Sequence, residues 1–127
     1  MKLSRKTKNL AQSECKRLCN ELDGIIAVVI ASQDGFDVAS QVSKNLDSVR
    51  ISAMASSINA IGSVVSAEAD IGISESITVK TENGFAYIIS VNMDEEAYIL
   101  NLIANDSAIL AQIIYQCQET KSKLDAH

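Results

Sequence analysis

Three cysteines, one histidine and one run of carboxylates are the residues through which this 127-residue chain could do chemistry. Cys15 and Cys19 stand four apart, so on a helix they share a face and could share a ligand. A zinc site needs two further ligands, and the single histidine, His127, is the last residue. Three cysteines are an odd number, which is no disulfide framework, and cysteine commonly packs as a small hydrophobe. Core packing is therefore the reading for Cys15, Cys19 and Cys117. Asp94-Glu95-Glu96 lacks the alternating ligand spacing of an EF-hand loop and reads as a solvated turn. Asp34 beside Gly35 reads as a turn former for the same reason of economy. Ser-His and Cys-His nucleophile pairs are excluded without an internal histidine. Neither of the common glycine-rich phosphate loops occurs. No catalytic residue, metal ligand or cofactor is expected, so the search moves to surfaces.

Composition bounds those surfaces. Hydrophobic residues make up 47% and charged residues 21%, as in a folded globular chain. The length fits one domain, 1–127, with its core at about 14–117 and with 1–8 and 120–127 expected to fray. The net charge is −5 and aromatics are 4%, a poor basis for phosphate contacts or base stacking, so nucleic acid is not an expected partner. Lys2, Arg5, Lys6 and Lys8 read as a solvated helix start and lead into no apolar signal segment. No apolar run is long enough to span a bilayer. The expected location is the cytoplasm.

The elements follow from periodicity. Ala11, Cys15, Leu18, Cys19 and Leu22 form one stripe of a helix from about Arg5 to Leu22, closed by Asp23-Gly24. Ile25–Ala31 is apolar on both alternating faces, as in a strand covered on both sides. An Asp-Gly turn leads to Phe36–Val42, where Phe36, Val38 and Val42 are expected on one side. A helix over Ile51–Gly72, capped by Asn45 or Asp47, comes next. Strands are expected over Ile73–Thr81, Phe85–Val91 and Ala97–Ile103, the first two joined by an Asn-Gly turn with positive φ angles. A last helix starts near Asn105-Asp106-Ser107 with Ile109, Leu110, Ile113, Ile114 and Cys117 as its stripe, and ends in a polar tail. The fold class is an α/β sandwich of one mostly antiparallel five-stranded sheet and three helices, in the order α-β-β-α-β-β-β-α.

The central helix carries no Lys or Arg after Arg50. On a wheel of about 100° per residue it has two apolar faces. Ile51, Met54, Ile58, Ile61 and Val65 make the bulky one, which is expected to face the sheet. Ala53, Ala60, Val64, Ala67 and Ile71 make the small one, with Ser57 at a boundary between the two. A neighbouring helix of the same chain, a second copy about a two-fold axis, or water could meet the small face; an interface is the preferred reading.

The stretches IIAVVIASQDGFDVAS, SAMASSINAIGSVVSAEADIG and TVKTENGFAYIISV, within about Glu14 to Gln116, resemble the Roadblock/dynein light-chain superfamily, in its bacterial MglB type. Profilin-like relatives such as longin domains share the sandwich, but the long Ala/Ser-rich helix between two-strand and three-strand units favours Roadblock. The resemblance implies a non-enzymatic protein that dimerises through the central helix and the edge strand after it. The implied homodimer interface is Ala53, Ser57, Ala60, Val64, Ala67 and Ile71 with Ile77 and Val79 of the strand. It also implies a Ras-like small GTPase as partner, whose nucleotide cycle or localisation the dimer would modulate or scaffold. Asp94–Glu96 stands where many members have a glycine-containing turn. The alternative is a profilin-like small-molecule sensory or adaptor module, which predicts an enclosed polar pocket.

Overall fold

The computed structural model describes residues 3–43 and 45–126; Lys2 and His127, named above, lie outside them. The elements are α1 (Arg5–Glu21), β1 (Ile25–Ser32), β2 (Asp37–Val42), α2 (Ser48–Ala69), β3 (Ile77–Thr81), β4 (Gly84–Met93), β5 (Glu96–Asn105) and α3 (Leu110–Asp125). The strands form one sheet in the order β2-β1-β5-β4-β3, and all four pairings are antiparallel. α1 and α3 cover one face and α2 the other. The two-sided apolarity of β1 follows: Val28 and Ile30 point into the α1/α3 core while Ala27 and Val29 lie under α2.

Side chains cap the starts of α1 and α2, whereas Ile109 ahead of α3 provides no such cap. The Ser4 hydroxyl accepts the Thr7 N–H at 3.1 Å, and Asp47, not Asn45, accepts the Val49 N–H at 3.0 Å. α2 begins three residues before Ile51 and stops at Ala69, where Asp70 turns left-handed with φ 54°. α3 starts later than expected, because Asn105 Oδ1 accepts from both the amide and the hydroxyl of Ser107 and holds a separate turn there. It also runs further: Thr120 and Leu124 are buried, so the polar tail is part of the helix. Ile113 and Cys117 face the core, whereas Ile109, Leu110 and Ile114 of the expected stripe are largely exposed.

Two turns depart from their sequence signals. Thr81 pairs with Gly84, so the loop is Glu82-Asn83, and neither Asn83 nor Gly84 takes a positive φ. Gly84 is instead a strand residue, and a Cβ there would run into the Ala104 carbonyl oxygen. The left-handed two-residue turn is Asp94-Glu95, with φ 49° and 66° between the paired Met93 and Glu96. Asp is among the non-glycine residues that enter this region most readily, whereas Glu95 is of a type that rarely does. The Asp94 carboxylate accepts the Ser4 N–H and the Thr7 hydroxyl, each at 2.9 Å, which clamps the turn to the start of α1. Phe36 does not share a strand with Val38: it closes the β1–β2 turn, bonded through its backbone to Ser32, and its ring is exposed.

Candidate interaction surface

α2 crosses the sheet instead of lying along it. Ile51 packs over Ala27, Val29, Val42 and Ile103, that is, over β1 and its neighbours. Ala55 and Ile58 pack over Ile88 and Ile99 of β4 and β5, together with Ile77. Gly62 lies against Ile77 of β3 so closely that a Cβ would strike the Ile77 side chain. The sheet ends at β3, but α2 continues to Ala69. Seven residues at about 1.5 Å rise make an overhang of about 10 Å, or two strand spacings.

Burial follows this geometry and corrects the two-face reading. Ile51 is buried, and Ile58 partly so, as expected of the sheet-facing side. Met54, Ile61 and Val65, expected there too, are 54%, 63% and 56% exposed. The true inner stripe is Ile51, Ser52, Ala55, Ile58 and Gly62, small in its middle because helix and sheet approach closely. Ala53, Ser57, Ala60, Val64, Ala67 and Ile71 are all exposed, so bulky and small apolar residues share one outward surface. Ile77 is half-buried beneath Ile58 and Gly62, within its own chain. Val79 is exposed at the sheet edge.

A second consequence of the crossing lies on the sheet itself. Ala27, Ile103, Ala86 and Val79 form one cross-strand row on the α2 face. Ile51 covers its β1 end, while Ile103 and Ala86 are only partly buried and Val79 is open. Ala86 and Ile103 carried no periodicity signal that set them apart; only the helix direction makes them surface. The outer edge of β3 is also open, since among the described residues no other element bonds to it.

The opposite face is tied down. Glu14 of α1 is buried and meets Arg17 at 3.1 Å, Thr120 of α3 at 2.7 Å and Lys123 of α3 at 3.4 Å. Arg17 also reaches Gln116 of α3 at 2.8 Å. Burial alone would raise the Glu14 carboxyl, but the Arg17 and Thr120 hydrogen bonds and the Arg17 and Lys123 charges overcome it and hold it below the ordinary value. Cys15 and Cys117 are buried in the same core, with thiols pushed up to about 12 by burial. Such thiols are poor nucleophiles and poor metal ligands. Among the described residues no group of three or more His, Cys, Asp or Glu is placed to hold a metal ion.

A sequence model of the Roadblock/LC7 domain matches residues 12–104. The chain belongs to the Roadblock/LC7 family. Among solved structures, MglB of Myxococcus xanthus superposes with TM-score 0.85 at 11% identity, over 99% of this chain and 92% of that one. The gliding protein MglB of Thermus thermophilus gives 0.84 at 12%, over 98% and 92%. A Roadblock/LC7 domain of Streptomyces avermitilis gives 0.79 at 15%, over 88% and 92%. At these identities the likeness is one of fold, and it is the fold expected from the sequence. No curated protein sequence matches the chain.

One concavity of this Roadblock chain is an open groove of about 660 Å3 at the α1 start, lined by Lys8, Ser32, Asp34, Asp37 and Tyr98 among others. It is a surface groove and not the enclosed pocket a sensory module would need. Among the described residues no helix is long and apolar enough to cross a membrane.

Proposed function

We propose that this Roadblock chain is a homodimeric, non-enzymatic regulator or scaffold for a Ras-like small GTPase, acting in the cytoplasm. The observation that carries the self-association is a match within one chain: an apolar overhang on α2 and an apolar row on the sheet beside it that α2 covers only in part. A two-fold axis at the β3 edge would lay the Val64–Ala69 end of one α2, with Ile71 just beyond it, over Val79, Ala86 and Ile103 of the other copy. The open β3 edges would then pair, and the ten strands would form one sheet. Ala53, Ser57, Ala60, Val64, Ala67, Ile71 and Val79 lie on that interface. Ile77 contributes by supporting α2 from within its own chain. Every few hundred Å2 of apolar surface covered adds several kcal/mol at about 25 cal/mol per Å2, offset by the cost of association.

The GTPase as partner rests on the family resemblance and on the outward surface of α2, which is apolar, free of Lys and Arg from Ile51 to Gly72, and without a buried titratable cluster. That is a surface for docking, not for bond chemistry. The test has two stages. Light scattering of the purified chain should give twice the chain mass at micromolar concentration; a monomer sinks the dimer. Capture from an extract of the native cells should recover a Ras-like GTPase with the wild-type chain and lose it with Val64→Glu. Recovery by both forms would place the GTPase site elsewhere.

A further inference from the structure

The alternating pattern ISESITVKT begins at Ile73, yet β3 begins four residues later at Ile77. β4 is twice as long as β3. Its residues Gly84–Ile88 pair with β3, while Ile89–Met93 have β5 on one side and no strand on the other. The two-residue turn at Asp94-Glu95 makes Met93 and Glu96 a mutually hydrogen-bonded pair. Alternation then turns the backbone groups of Ser90 and Asn92 toward the strand-free side. One of them is engaged from above: Lys121 of α3 donates through Nζ to the Ser90 carbonyl at 2.8 Å. A lysine laid on a bare strand edge is a common guard against further pairing.

The pairing it guards against is available within the chain. Ile77 stands opposite Ile88, so two more residues in the same register bring Glu75 opposite Ser90. The Glu75 N–H would then point at the oxygen that Lys121 holds. Residues 70–76 join α2 to β3 without regular structure, and Ile73 among them is 93% exposed. Six residues from Ala69 to Glu75 reach up to about 20 Å, well beyond one layer spacing of about 10 Å. Gly72, with φ 96° and open space where a Cβ would stand, lets the connection bend.

We propose that Lys121 is a latch that holds β3 at five residues, and that β3 lengthens along β4 to Glu75 when the latch is released. Release draws Ile73 toward the sheet and lengthens the open edge, so a residue on α3 sets how much strand the opposite layer presents. The device lies within one chain and needs no second copy.

Amide hydrogen exchange of the full chain, read by NMR, tests it with Ile77 as internal reference. In Lys121→Met, which keeps the aliphatic stem and removes the donor, the Glu75 amide should exchange about tenfold more slowly than in wild type. Lys121→Arg, which keeps a donor, should exchange as wild type does. Adding Glu75→Pro to the Met variant should return the Ser90 amide, the other newly bonded donor of that pair, to its wild-type rate and leave Ile77 protected. If Ile77 stays protected in Lys121→Met while Glu75 exchanges at the wild-type rate, Lys121 is no latch. Monomeric or dimeric mass, measured on the same samples, judges the self-association separately.

Discussion

At the β2 edge, the Gln12 side chain accepts the Ser40 N–H at 3.1 Å and donates to the Ser40 carbonyl at 2.7 Å, as a neighbouring strand would. The Cys19 thiol adds a weak bond to the Gln41 carbonyl. At the β3 edge no such side chain stands alongside among the described residues, and the helix above runs past it. Edge strands invite pairing unless something covers them. α1 closes one edge of this sheet, while α2 and β3 leave the other bare and flank it with apolar surface. The asymmetry is what would give the proposed dimer its direction.

The comparison breaks most visibly if a charge is placed on the bare side. Val64→Glu should raise the dimer dissociation constant by about a hundredfold or more, since it would bury an unpaired carboxylate. Sedimentation would read this, with circular dichroism unchanged. An unchanged dimer would show that the overhang is not at the interface. Thr78→Pro should act next most strongly. The Glu82-Asn83 loop makes Thr81 and Gly84 a bonded pair, so the Thr78 N–H points outward and proline removes it without touching β4. A weakening of roughly tenfold is expected from the lost edge bonds, and dimers of wild-type affinity would exclude β3 pairing.

On the covered side the effects are in stability. Glu14→Ala should cost about 2–3 kcal/mol in urea unfolding, because it strips α1 and α3 of their shared acceptor and leaves donors unmet. The Glu14 carboxyl is held below its ordinary value of 4.5, so its contribution is whole above that pH and is lost as pH falls through the lower folded value. Glu14→Gln should therefore flatten the decline in stability below pH 4.5; an equal slope in both proteins would mean other carboxylates carry it. Gln12→Ala should be mildest, about 1 kcal/mol, with faster amide exchange at Ser40. It should also open a second edge, visible as slow growth of species larger than the dimer.

Element order and strand count were legible in the sequence because they depend on local periodicity and residue type. Val28 and Val29 alternate between two cores, and that shows as an unbroken apolar run in β1. The faces of α2 were not legible. Met54, Ile61 and Val65 look like core on a wheel, but a wheel has no record of where the sheet ends. Ser52 shows the converse: it is fully buried with its hydroxyl unpaired, a small polar residue tolerated where the helix passes close to the sheet. The start of β3 was misplaced because alternation cannot reveal that Lys121, almost fifty residues on, occupies the next acceptor.

By itself, then, the sequence determined a Roadblock sandwich whose central helix carries only Arg50 and Glu68 as charges and has apolar residues on more than one side. Periodicity fixes elements because each is stabilised by contacts three, four or two residues apart. The tertiary structure alone decided that α2 crosses the strands, overhangs β3 and leaves Val79 exposed and Ala86 and Ile103 only partly covered. Those facts depend on the angle between two packed layers, which no local pattern encodes.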